Sequence, residues 1–324
     1  MKYLIFSLVL LLAMGATINN EEENGPSILK KYNFDANYPL YLSDGQKFGF
    51  NEVGAALDKA FSYNQPVLLF VHGRGNEPNK SLVSGTFVEG GAVRKLETQY
   101  KVRVLMFNWE SKAFMYDRSA PLSRMPAAGE SLKKVLTSLK NYLALPQNQS
   151  KKLTMLAHSM GSIVVQTMVQ QQGGWPVASR PLFSQVVLTS PDADNVKHWE
   201  WLNDVSQNEK VFVTINRDDD ILEKSDDSRE EGREPLGLVP VLPLSSKAIY
   251  LDISKLGDKP GKASGVHEVF NKENMKGQVN YCNVFDQLLT GRAPVLAGVT
   301  DPTEQINYLK VKFAINKNDK CLVF

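Results

Sequence analysis

The stretch Leu153-Thr154-Met155-Leu156-Ala157-His158-Ser159-Met160-Gly161-Ser162-Ile163-Val164-Val165 decides how this chain is read. It opens on a short apolar run, passes through a serine beside Met160 and Gly161, and resumes as a second apolar segment. A buried strand, a sharp turn with serine at its apex, then a helix fits that order. Such a turn strains the serine into an exposed position, and small neighbours let strand and helix approach. Ala157 stands where the usual Gly-x-Ser-x-Gly pattern has its first glycine, so only a methyl must be accommodated.

Outward from this stretch the chain keeps one rhythm. Apolar runs rich in β-branched residues recur at Pro66–Val71, Val102–Asn108, Gln185–Ser190, Lys210–Ile215 and Ala248–Asp252. Runs this apolar suit parallel strands buried on both faces. Between them, the spacing of Leu132, Val135, Leu136, Leu139, Tyr142 and Leu143 predicts a helix over about Ala127–Leu145, ended by Pro146. The alternation predicts an α/β fold, a mostly parallel sheet with helices on both faces. After residue 276 a short helix is expected over Tyr281–Leu289 and an edge strand over Asn307–Ile315.

Open parallel sheets carry their sites at the carboxyl ends of the strands. The helix after Ser159 aims its amino end at that site, so the Met160 N–H is a candidate oxyanion donor. A second donor is expected from the loop after the first long strand, at Arg74, with Gly73 and Gly75 letting the backbone come close. The chain has four histidines. His72 and His158 sit beside the oxyanion loop and the turn, and His198 is expected on a helix surface. His267 follows the strand Ala248–Asp252 in the loop Ala263-Ser264-Gly265-Val266-His267, where a base acting on Ser159 should fall.

The acid that orients the base belongs after the Lys210–Ile215 strand, in Asp218-Asp219-Asp220. Asp219 fits best, because an apolar pair follows one residue later and packs back on the sheet. Asp218 stands second and Asp220 third, and Asp192 and Asp194 are the fallback. The last two could instead cap the following helix.

With 37 basic and 35 acidic residues the formal charge is +2, so no global field recruits nucleic acid or an anionic membrane. The lysines form no basic stripe. No phosphate loop, dinucleotide glycine motif or metal-spaced histidine pair occurs, and no cofactor or metal is expected. Lys2, the apolar run Tyr3–Met14 and the small residues Gly15 and Ala16 read as a signal peptide over residues 1–15. That run is shorter than the roughly 20 residues a transmembrane helix needs. Export, to the periplasm, the envelope or outside the cell, is the expected consequence. It would permit a disulfide between Cys282 and Cys321, worth about 4 kcal/mol in the chain-entropy model. The remaining organisation expected is a flexible leader over 16–35, a catalytic domain over 36–290 and an extension over 291–324.

Taken together, Phe70-Val71-His72-Gly73, Phe107-Asn108-Trp109-Glu110-Ser111, Leu156-Ala157-His158-Ser159-Met160-Gly161, Pro191-Asp192-Ala193-Asp194 and Gly265-Val266-His267 resemble the α/β-hydrolase superfamily. Within it they are most similar to the DUF900-like group of exported or envelope hydrolases. The resemblance gives Ser159 the nucleophile's role. It implies hydrolysis of an ester or similar acyl bond and names no substrate; a small-molecule or lipid-like acyl compound is the class expected. Acyl transfer or thioester cleavage on the same residues is the enzymatic alternative, and a catalytically silent binding domain the other. The short stretch between Ser159 and Asp219 leaves no room for a large cap domain. The insertion Glu223–Ser246 could overhang the site; a mobile surface loop with an apolar anchor is the preferred expectation.

Overall fold

The structure, a computed structural model, describes residues 34–75, 82–83, 86–87, 91–112, 118–226, 229–254, 267–275, 278–305 and 307–312. The signal-peptide segment, most of the 16–35 leader, Ala263–Val266 and Cys321 lie outside these residues. In chain order the strands are β1 (Leu40–Leu42), β2 (Lys47–Phe48), β3 (Val67–Val71), β4 (Leu82–Val83), β5 (Thr86–Phe87), β6 (Arg103–Phe107), β7 (Leu153–His158), β8 (Val186–Thr189), β9 (Val211–Ile215), β10 (Ile249–Asp252), β11 (Thr300–Pro302) and β12 (Tyr308–Val311). The helices are α1 (Val53–Phe61), α2 (Ala92–Tyr100), α3 (Ser119–Ser123), α4 (Met125–Ala144), α5 (Gly161–Gln171), α6 (His198–Val205), α7 (Asp220–Asp226) and α8 (Val279–Leu289).

Ten strands form one sheet in the order β11-β12-β10-β9-β8-β7-β3-β6-β1-β2. From β6 across β3, β7, β8, β9 and β10 to β12, every neighbouring pair is parallel. Antiparallel strands close both ends, β1 and β2 beside β6, and β11 beside β12. β4 and β5 make a separate antiparallel pair.

Successive side chains of a strand point to opposite faces, and the apolar runs therefore feed two cores. Val67, Leu69 and Val71 of β3 pack in one with Leu57 of α1, Leu132 and Leu136 of α4 and Val164 of α5. Leu68 and Phe70 pack in the other with Leu96 of α2 and Phe285 of α8. Each such side chain, fully buried, contributes about 1.5–3 kcal/mol. That is why both faces of these strands had to be apolar, and why helices cover the sheet on both sides.

Two expectations change, and two strands are added. The Asn307–Ile315 edge strand is the shorter β12, and it is not at the edge: β11 covers it through Thr300–Pro302. β1 and β2 had no sequence signal, since three- and two-residue strands carry too few alternations to read. His198 is not on a surface. It is fully buried, its Nδ1–H donates to the Asn195 carbonyl at 2.7 Å and its Nε2 accepts from the Tyr250 hydroxyl at 2.9 Å. Trp201 and Leu202 of the same helix are also buried, so α6 turns that face to the sheet.

Candidate active site

β7 ends at His158 and α5 begins at Gly161, so Ser159 and Met160 alone make the turn. Ser159 has φ +53°, a left-handed conformation that costs a non-glycine residue about 1–3 kcal/mol. Neighbouring strand ends hold it there. Its N–H donates to the Thr189 carbonyl at 3.0 Å, and its own carbonyl accepts from the Ser162 hydroxyl at 2.7 Å and the Asp192 N–H at 3.2 Å. Gly161 is required by closeness: a Cβ there would lie 2.3 Å from the Val71 carbonyl oxygen and 2.8 Å from that of His72. A Cβ on Gly73 would meet the Ser159 Cβ at 2.8 Å. The end of β3 thus lies directly against the turn, and Gly75 continues its loop at φ +86°.

The expected acid and base, Asp219 and His267, come after β9 and after β10. Of the three adjacent aspartates, Asp219 alone is fully buried. Asp218 is exposed and Asp220 opens α7. His267 Nδ1–H donates to both Asp219 oxygens, at 2.9 and 3.0 Å. Asp219 Oδ1 also accepts the N–H groups of Ile221 and Leu222, each at 3.1 Å. Burial alone would raise this carboxyl, but the His267 charge and these hydrogen bonds hold it below the usual carboxylate range. Burial alone would lower His267, but Asp219 beside it raises the ring above the usual histidine value. With Nδ1 carrying the proton, Nε2 of the neutral ring is left as the acceptor.

Ser159 and His267 line one cavity of about 240 Å³. Among the described residues no hydrogen bond joins the Ser159 hydroxyl to the His267 ring; such bonds often tighten only when substrate is bound. Met160 and Arg74, the two expected oxyanion donors, line the same cavity.

The remaining histidines near the turn have other partners. His72 Nδ1–H donates to the Gly73 carbonyl at 2.7 Å and its ring stacks on Trp109. The His158 ring lies 4.8 Å from that of His267 and edge-on to Phe270 at 5.0 Å. Burial, then the neighbouring His267 charge, push His158 down to about 3, so it stays neutral under His267.

Asp192 and Asp194 neither contact His267 by hydrogen bond nor cap a helix. Asp192 Oδ2 accepts from Arg118 at 3.0 Å, and its Oδ1 accepts from Arg229 at 2.7 Å and from the Ser225 hydroxyl at 2.5 Å. Asp194 pairs with Arg229 and Arg233. The described part of the insertion after β9 is therefore strapped down at Arg229 and Arg233, in place of the expected mobile loop, and the expected apolar anchor is present. Pro235 bridges to Asp194, the Gly237 N–H donates to the Pro191 carbonyl at 2.8 Å, and Leu236 is fully buried. Ile221, Leu222 and Lys224 of α7 form a wall of the cavity. The charged run supplies the straps because Arg229, 5% exposed in its side chain, bonds both Asp192 and Asp194 and so has its own buried charge paired.

Arg118, Ser190 and Ser225 were not legible as site residues. The Ser190 hydroxyl donates to the His267 carbonyl at 2.8 Å, and Ser190 has φ +43°. No motif marks them; their partners are separated by long stretches of chain. Cys282 is disulfide-bonded, and the other cysteine, Cys321, lies outside the described residues. Among the described residues no helix is long and apolar enough to cross a membrane, and no group of three His, Cys, Asp or Glu side chains could hold a metal.

A family model described as alpha/beta hydrolase of unknown function (DUF900) matches residues 51–233. The chain belongs to that family. This α/β hydrolase has Ser159 and Asp219 inside the matched region and His267 beyond it. Among solved structures it is similar to a Pyrobaculum calidifontis esterase in a monoclinic form, with TM-score 0.36 and 12% identity over 69% of this chain and 76% of that one. No curated protein matched the sequence.

Proposed function

We propose that this α/β hydrolase is an exported serine hydrolase that cleaves a carboxylic ester, or a related acyl bond, through an acyl-enzyme. The observation that carries the reading is a single juxtaposition. A strained serine and a histidine whose Nδ1–H is clamped by a fully buried aspartate open on one cavity. His267 Nε2 takes the Ser159 proton as Oγ attacks the acyl carbonyl. The carbonyl π electrons move to oxygen, and the N–H groups of Met160 and Arg74 hold that oxyanion. Collapse breaks the acyl–oxygen bond, and the His267 proton goes to the departing alcohol. Water, deprotonated by the same ring, then releases the acid and restores Ser159.

Asp219 keeps the ring in the tautomer that presents Nε2 and balances the imidazolium that forms. The cavity, smaller than the roughly 300–1,000 Å³ of drug-sized pockets, favours a short acyl group. The basic, apolar and small-residue pattern of residues 1–16 supports export. A fluorophosphonate probe on the purified protein tests the covalent step. Labelling is expected in the wild type and lost in Ser159→Ala; labelling that survives in Ser159→Ala, or never occurs, rejects it.

A further inference from the structure

Leu222 is only 1% exposed, yet it belongs to neither of the two cores that flank the sheet. It lines the cavity that holds Ser159 and His267. Two anchors fix it there. Its N–H donates to Asp219 Oδ1 at 3.1 Å, so the carboxylate that clamps His267 also places this residue. Its side chain is backed by Gly237, where a Cβ would lie 2.7 Å from Leu222 Cδ1 and 2.9 Å from the Pro191 Cδ. Gly237 is itself held on both sides. Its N–H donates to the Pro191 carbonyl at 2.8 Å, and its carbonyl accepts the Asn216 N–H at 2.7 Å. Among the described residues that line the cavity neither Gly237 nor Pro191 occurs, so Leu222 stands between them and it. The other apolar walls are of a different kind: Met160 belongs to a core, and Ile221 is half-buried.

We infer that Leu222 is the specificity-determining residue that limits the length of the acyl chain. The inference rests on the serine-hydrolase reading above and says what confines its substrates to short acyl esters. A close-packed wall does not retreat to admit further methylenes. Each methylene that an apolar pocket accepts or refuses changes kcat/KM by about 10- to 200-fold. The departing alcohol must escape to water while the acyl group stays on Ser159, so a wall closed to solvent suits the acyl side. Trimming the leucine deepens the cavity toward Gly237 and Pro191.

The test measures kcat/KM of the full chain on p-nitrophenyl acetate, butanoate, hexanoate and octanoate. In the wild type it is expected to fall about tenfold or more from butanoate to octanoate. Leu222→Ala should raise the octanoate-to-butanoate ratio about tenfold or more. Leu222→Val, a smaller trim that keeps an apolar filling, should move the ratio the same way by less, and it carries the test if the alanine variant does not fold. Within one preparation the ratio does not depend on the fraction folded. A merely structural role would scale all the esters together and leave it unmoved.

A wild type that takes the fluorophosphonate and cleaves octanoate as well as butanoate overturns the length limit and leaves the hydrolase reading standing. A ratio unmoved in the folded variants overturns the role of Leu222. So does a change seen only along methyl, butyl and hexyl acetate, which lengthen the alcohol. If no ester is cleaved and Ser159 is not labelled, the hydrolase reading fails and this inference with it.

Discussion

Asp192 and Asp219 make an instructive pair. Each follows the carboxyl end of a parallel strand, β8 for one and β9 for the other, and each is almost wholly buried. Their partners differ in kind. Asp219 faces an imidazole, which gains and loses a proton near neutral pH. Asp192 faces two guanidiniums, which do not. The first arrangement fixes the tautomer of the imidazole that the proposed mechanism uses as its base; the second makes a permanent strap between the β8 loop, Arg118 and the insertion. Equal burial of the same side chain thus leaves a partner that can titrate in one place and a fixed ionic strap in the other.

The sharpest way to break this contrast is to neutralise each carboxylate in turn. Asp219→Asn should lower kcat by about a thousand- to ten-thousand-fold with the fold retained, because the ring loses its tautomer control. Steady-state kinetics with circular dichroism checks this, and a loss under tenfold rejects the orienting role. Asp192→Ala should act on stability, by about 3–5 kcal/mol in urea unfolding, since it takes the carboxylate from the buried Arg118 and one of two carboxylates from Arg229. A smaller effect than that of a surface substitution would show that the strap carries little.

Ser190→Ala probes the seam between the two regions. It removes one hydrogen bond to the His267 carbonyl, so about 1 kcal/mol of stability and a modest drop in kcat are expected. The smallest effect is on pH. The base must be neutral, and His267 is held above its ordinary value of about 6.5. Activity should therefore rise with pH through a midpoint above that value, and Asp219→Asn should move the midpoint down. The stability contributions of the two partners run in opposite directions with pH. The raised His267 contributes stability that is present below about 6.5 and lost as pH rises through its folded value. The lowered Asp219 contributes stability that is present above its ordinary value and lost as pH falls through its folded one. Urea midpoints of wild type and His267→Gln across pH 4–9 check this: the difference should shrink toward the alkaline end.

Much of this geometry was readable in residue order. The strand, turn and helix around Ser159 follow from an apolar run, small neighbours and a second apolar run, all local quantities. The parallel strands were readable because burial on both faces forces continuous apolar composition. His267 could be reached from its place after β10. Composition could not show that Arg229, in a segment reading as solvated charge, is 5% exposed in its side chain. Nor could it show that His198 is core, because a histidine with two partners looks the same in sequence as one on a surface.

By itself, then, the sequence determined the rhythm of the sheet, the turn that strains Ser159 and a short choice of acids. These depend on backbone sterics and side-chain period, which act over a few residues. Only the tertiary structure decided that Asp219 is the carboxylate reaching His267, and that Asp192 joins Arg118 to Arg229 across separations of 74 and 37 residues. Those choices belong to charges that burial forces to find partners, and which partners lie within reach is a property of the folded sheet.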